Sequence, residues 1–122
     1  MNDLLLKILQ HEGAASIVTN SDAVPHLTAT WNSYIELDKI GKLLIPAGGY
    51  HQTESNINSG SKLIMLIASK EVAGKQGMGT GLRLTGSAVF VTEGNVFNKT
   101  KHRFNWARAV LVFTVEKIEQ LI

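Results

Sequence analysis

The chain has 122 residues, of which 44% are hydrophobic and 18% charged, enough for a single domain spanning residues 1–122 around one core. It contains no cysteine, which excludes disulfides, thiolate metal sites, iron–sulfur clusters and cysteine nucleophiles. A formal charge of +2 is too weak a field to mark a polyanion-binding protein by itself.

Leu4, Leu5, Ile8 and Leu9 recur at helical spacing after Asn2 or Asp3 as a cap, and Gly13 closes the helix. The run before Lys7 is too short and acidic for a signal peptide. Residues 14–19 predict a strand, ended by Asn20-Ser21-Asp22 and Pro25. Residues 26–37 favour a longer strand, residues 38–41 a turn, and residues 42–46 the returning arm of a hairpin. Ala47-Gly48-Gly49-Tyr50-His51 then forms a loop, and Thr53 caps a short helix to about Asn58.

Residues 62–68 are nearly all apolar, which predicts a central strand covered on both faces. The run is far below membrane-spanning length, so a cytoplasmic protein with no membrane partner is expected. Gly74, Gly77, Gly79 and Gly81 mark a loop. Beyond it Leu82, Leu84, Gly86, Ala88 and Phe90 alternate with Arg83, Thr85 and Ser87, as a half-buried strand requires. Thr92 opens a helix carrying Val96, Phe97, Thr100 and Phe104, and residues 109–115 form the last strand. About six strands in contiguous runs, with three short helices, predict a mainly β fold: a closed antiparallel barrel with short peripheral helices.

The histidines, His11, His26, His51 and His102, lack ligand-pair spacing, and no serine sits in a nucleophile frame. The glycine loop from Gly74 to Gly81 precedes a strand rather than opening a helix, so it is neither a P-loop nor a dinucleotide fingerprint. It is either a mobile surface loop or a backbone that approaches a ligand or partner closely. Lys99, Lys101, His102, Arg103 and Arg108, with Phe104 and Trp106 among them, read as a nucleic-acid groove or, preferably, as the solvated face of one helix.

Pro46-Ala47-Gly48-Gly49-Tyr50-His51-Gln52-Thr53-Glu54 is more specific. A strand ends, a double glycine turns, and a helix start offers free N–H groups to an anion. Thr30-Trp31-Asn32-Ser33-Tyr34 places polar and aromatic residues in mid-strand, either one wet face or the wall of a flat heterocycle.

Together with Pro25-His26-Leu27, Val72-Ala73-Gly74, Gly79-Thr80-Gly81, Gly86-Ser87-Ala88 and Trp106-Ala107-Arg108-Ala109, these motifs resemble the small FMN-binding proteins of the pyridoxamine 5′-phosphate oxidase-like split-barrel group. The resemblance implies a six-stranded antiparallel split β-barrel, bound FMN and a homodimer with flavin at the subunit interface. It implies that Thr28, Ala29, Thr30 and Trp31 line the flavin, that Ile45, Pro46, Ala47, Gly48 and Gly49 run beside it, and that Gln52 and Thr53 receive its phosphate. Thr80 and Gly81 join this cofactor set. Trp106 and Ile122 would approach from the other subunit, and Glu12 would tune the redox potential.

The family pattern has lysine where this chain has Gln52 and asparagine where it has Ala29, so Lys75 or Arg83 is the candidate replacement cation. The expected function is an FMN flavoprotein carrying electrons to an unidentified redox partner, with no catalytic side chain and no metal. The alternatives are a flavin-dependent oxidoreductase of the same group and a non-redox binding module.

Overall fold

The computed structural model describes residues 2–122. Helix α1 (Asn2–Leu9) turns Leu5 and Ile8 into the core. Asp3 stands in its first turn, where a carboxylate suits the helix dipole; the capping role read for the Asn2 side chain lies outside the described residues.

Strands β1 (Ala14–Ser21) and β2 (Val24–Trp31) pair from Ala14 with Trp31 to Ser21 with Val24. Their two-residue turn, Asp22-Ala23, has φ of 49° and 64°, matching the twist of a tight hairpin. Both strands therefore run closer to the turn than expected. Pro25 does not break β2, because β2 is an edge strand and proline is tolerated where its missing N–H faces outward.

The single strand expected over residues 26–37 is instead three pieces. β2 stops at Trp31, a 3₁₀ turn covers Asn32–Tyr34, and β3 (Glu36–Leu37) opens the next hairpin. The break follows from Asn32, which is fully buried, with its backbone N–H bonded to Gly13 O and its side-chain Nδ2 to His11 O. The Asp38 carboxylate accepts the Ile40 and Lys42 N–H groups to form the turn into β4 (Leu43–Ala47). Helix α2 (His51–Asn58) follows, starting from Tyr50 rather than from a Thr53 cap.

β5 (Leu63–Ala73) and β6 (Met78–Val91) form a long hairpin, so Gly79 and Gly81 lie in a strand and only the segment at Gly74–Gly77 is loop. α3 (Asn95–Arg103) begins later than Thr92, and β7 (Ala109–Gln120) runs five residues beyond Val115. β7 bulges at Glu116, opposite Thr85 and Gly86. A Cβ on Gly86 would stand 1.9 Å from Thr114 O, so only glycine fits.

All pairings are antiparallel, in the order β2-β1-β5-β6-β7-β4-β3. Pro46 of β4 and Ala29 to Trp31 of β2 line one cleft although they stand near opposite ends of that order. The sheet therefore curls into a barrel that stays open between β2 and β4. This is the expected mainly β split barrel, with the two-residue β3 making the strand count seven rather than six.

Ile17, Met65, Leu84, Ile45 and Phe113 fill the interior without measurable exposure. β5 is covered on one face only. Leu63, Met65 and Ile67 are buried, while Leu66 points outward and is 41% exposed. Among the described residues no helix or strand packs over that outer face, so the apolar run does not signify double coverage within the chain.

Candidate functional site

The opening of the barrel is a cleft of about 320 Å³ lined by Ala14, Ala29, Thr30, Trp31, Tyr34, Pro46, Gly48, Gly49, Tyr50 and Trp106. One wall is the free edge of β2. Asn32 N–H bonds to Gly13 O, and antiparallel residues alternate between bonded and non-bonded pairs. By that alternation Thr30 and Thr28 bond to β1, and Ala29 and Trp31 turn their backbone groups outward. Ala29 O accordingly accepts the Tyr50 hydroxyl at 2.5 Å.

The facing wall is the turn between β4 and α2. Trp106 lies against Gly48, where a Cβ would come within 3.0 Å of the indole; a side chain there would push the ring out of place. Tyr34, Phe104 and Trp106 form an aromatic cluster with centroids 4.9 to 5.9 Å apart. Trp31 and Trp106 remain about half exposed, at 50% and 48%. The lining carries no carboxylate, imidazole, ammonium or guanidinium. Such a site suits a flat, largely apolar ring with a hydrogen-bonding rim and offers no charged acid or base.

Of the residues singled out from the sequence, Ala29, Thr30, Trp31, Pro46, Gly48, Gly49 and Trp106 meet here. Thr28 is half-buried one step further along β2, and the Ile45 and Ala47 side chains are buried in the interior. Ala14, Tyr34 and Tyr50 complete the lining; the two tyrosines lie inside the quoted motifs, but their direction needed the 3₁₀ turn and the α2 start. Trp106 lines the cleft of its own chain.

The residues expected at the phosphate lie at the start of α2. Thr53 is fully buried, and its Oγ has no partner within the chain. Gln52 is exposed, and its amide donates to Asn56 Oδ1 at 2.8 Å; Asn56 in turn donates to buried Thr19. Gln52 thus helps anchor α2 to β1.

Both candidate cations are engaged elsewhere in the fold. Lys75 donates to Gln120 O, and Arg83 makes a paired contact with Glu119. The cation at the α2 start is Arg108, which donates to Gly49 O at 3.0 and 2.7 Å and to Glu54 at 2.9 Å.

Thr80, Gly81 and Ile122 form a separate group. Thr80 Oγ donates to Ile122 O at 2.7 Å, and the Ile122 side chain lies over Gly81. Trp31 pairs with Ala14, and Ala68 pairs with Gly81. Continuing the Ser16–Leu66 register places Ala14 beside Ala68. Gly81 is therefore three strands from Trp31 on the same outer face, roughly 14 Å at the usual strand spacing.

Glu12 lies at the rim beside the turn after β2. Its carboxylate accepts Ser33 Oγ at 2.6 Å, Ser33 N–H at 3.1 Å and Gly13 N–H at 3.2 Å. The Ser33 hydroxyl, then the backbone donors, hold its pKa below the ordinary carboxylate value.

The basic cluster does not form one groove. Lys101 donates to Ala107 O, Arg103 to Ser33 O, and Arg108 to Gly49 O and Glu54. Among the described residues, no group of three or more His, Asp and Glu is placed to hold a metal, and no helix is long and apolar enough to cross a membrane.

The model of the family described as pyridoxamine 5′-phosphate oxidase matches residues 1–122. An FMN-binding protein from Nitratidesulfovibrio vulgaris (strain DSM 19637 / Miyazaki F) is 41% identical over 116 residues, covering 95% of this chain and 94% of that protein. HupZ from Group A Streptococcus superposes with a TM-score of 0.78 at 19% identity, over 99% of this chain and 93% of that one. An FMN-binding protein from Syntrophomonas wolfei gives 0.73 at 16% identity, over 99% and 88%. The structural likenesses show the shared fold.

Proposed function

The chain belongs to the pyridoxamine 5′-phosphate oxidase family, and from that premise we propose that it is an FMN-binding flavoprotein that carries electrons as a cytoplasmic homodimer. The observation that carries this reading is the cleft itself. An open strand edge at Ala29 and Trp31 faces the Gly48-Gly49 turn, with Trp31 and Trp106 as apolar walls and no charged group in the lining. The name of the 41% identical relative supports FMN as the ligand.

When bound, the flavin supplies the electron-transfer chemistry. The residues of this chain hold and orient it. Backbone groups of Ala29 and Trp31 would hold the rim of the ring, the indoles would exclude water from it, and the N–H groups at the start of α2 would receive the phosphate. A lining without a charged acid or base favours a carrier over an oxidoreductase that moves protons on a substrate.

The homodimer is supported by the division of the family-matched residues into two groups. Trp31 and Gly81 stand roughly 14 Å apart on one sheet face, and a second copy could bring its Ile122 to the Trp31 side of the cleft. Leu27, Leu66 and Ile122 expose apolar surface on that same face, at 68%, 41% and 59%, and a second copy would cover it.

The test is the absorption spectrum of the purified protein before and after added FMN, with molar mass measured by light scattering. Flavin bands at one FMN per chain in a dimer support the reading. A colourless protein that rejects FMN overturns it, and a monomeric holoprotein overturns the shared interface. Steady-state turnover of NADH or NADPH would replace the carrier with an enzyme.

A further inference from the structure

Tyr50 has a backbone conformation that side chains rarely adopt, with φ 65° and ψ 31°. The position is not open coil. It starts α2, packs its ring partly against the core and reaches across the barrel opening to Ala29 O. Non-glycine residues held this way occur where surrounding contacts over-determine them, often beside a ligand.

The contact has a chemical consequence. The outward-facing backbone of β2 offers the N–H and C=O groups of Ala29 and Trp31 toward the opening, with Trp31 C=O at the start of the 3₁₀ turn. The Tyr50 hydroxyl donates to Ala29 O, the acceptor in mid-strand. The two N–H donors stand about two residues apart along the edge.

We propose that Tyr50 is a specificity-determining positioning residue: by donating to Ala29 O, it weakens that acceptor and biases the edge at Ala29 toward its N–H donors, so that the ligand is registered by the acceptor rim of its ring. The inference rests on the flavin reading above. Flavin rings carry carbonyl oxygens and imine nitrogens on the rim and one imide N–H. A capped Ala29 O disfavours placing the imide N–H at that point, and the Ala29 and Trp31 donors favour the acceptors there. Freeing the carbonyl sets an unpaired acceptor against the acceptor rim of the ring and weakens that orientation. The effect acts on the ring and is blind to the phosphate.

The experiment compares the full-length protein with Tyr50→Phe, which keeps the ring and removes only the hydroxyl. Binding of FMN and of riboflavin is followed by flavin fluorescence at a temperature well below the melting point of both proteins, and the bound-flavin absorption spectrum is recorded. Loss of the cap should weaken both ligands by about tenfold and by equal factors, and should shift the bound-flavin bands. A Tyr50→Phe protein that melts earlier but keeps the wild-type affinity and spectrum overturns the inference and leaves the flavin reading standing. A larger loss for FMN than for riboflavin also overturns it, because the effect would then lie at the phosphate. Failure of the unaltered protein to bind either flavin removes the reading and the inference together.

Discussion

Arg108 and Glu54 lock the start of α2 to the residue just before β7: the guanidinium stands 2.9 Å from the carboxylate and donates twice to Gly49 O. A cation at a helix N-terminus opposes the helix dipole, and Glu54 offsets it in the first turn. Both side chains are less than a third exposed. Arg108→Met should destabilise the fold by about 1–3 kcal/mol, because Gly49 O and Glu54 lose their donor together. Glu54→Gln should cost less, about 1 kcal/mol. Urea midpoints of the two variants check the order, and equal midpoints would remove the lock.

Gly86→Ala should be severe. Its Cβ would meet Thr114 O at 1.9 Å and Glu116 N at 3.0 Å, both backbone atoms in the β6–β7 ladder. The bulge must open for a methyl group to fit, and a loss above about 3 kcal/mol is expected. Soluble expression and the thermal midpoint report it. By contrast, Gly41→Ala meets no atom within 4 Å and carries only the strain of its positive φ of 89°, so its loss should be clearly smaller.

Acid should destabilise the protein through Glu12 and Glu119, whose pKa values are both lowered in the folded chain. Ser33 is the principal cause for the first and Arg83 for the second. A depressed folded pKa stabilises above the unfolded value and loses that contribution as pH falls through the folded one. The loss therefore begins near the ordinary 4.5 and is complete below the lowered folded values. Melting temperature followed from pH ~6 to pH ~3 should fall less steeply in Glu12→Gln and in Glu119→Gln. An unchanged slope in both variants would contradict the assignment.

Thr53→Val should be neutral or slightly stabilising. The Thr53 hydroxyl is buried without a hydrogen-bond partner, so an apolar isostere loses no bond and avoids burying an unpaired polar group. A loss of thermal stability above about 1 kcal/mol would show a partner that this geometry lacks.

Local patterns carried much of the architecture. The alternation of Leu82, Leu84, Gly86, Ala88 and Phe90 gives the inner face of β6 directly, and the run from Pro46 to Glu54 is strand, turn and helix within one continuous segment. Several resemblance-derived cleft residues also meet, because they belong to two such segments facing each other. What escaped the sequence is set by pairs far apart in the chain. Arg108 lies 59 residues from Gly49, so the sequence alone points to Lys75 and Arg83, which the fold commits to Gln120 and Glu119. Thr53 looked like a hydroxyl at a helix start, but the α2–β1 packing turns it inward. The Asp22-Ala23 hairpin was hidden because its left-handed turn uses alanine where glycine is the usual signal.

The open edge of β2 also bears on how the protein survives at high concentration. An unpaired strand edge can recruit a strand from another molecule and seed fibrous association. Here the outward row is interrupted at both ends: Pro25 supplies no donor, and Tyr50 occupies the acceptor of Ala29. The stretch left for a foreign strand is only a few residues long, and the part of it nearest Trp31 borders the cleft. A chain that keeps a strand edge free for a small molecule must deny that edge to its own kind, and proline and tyrosine do so without closing it.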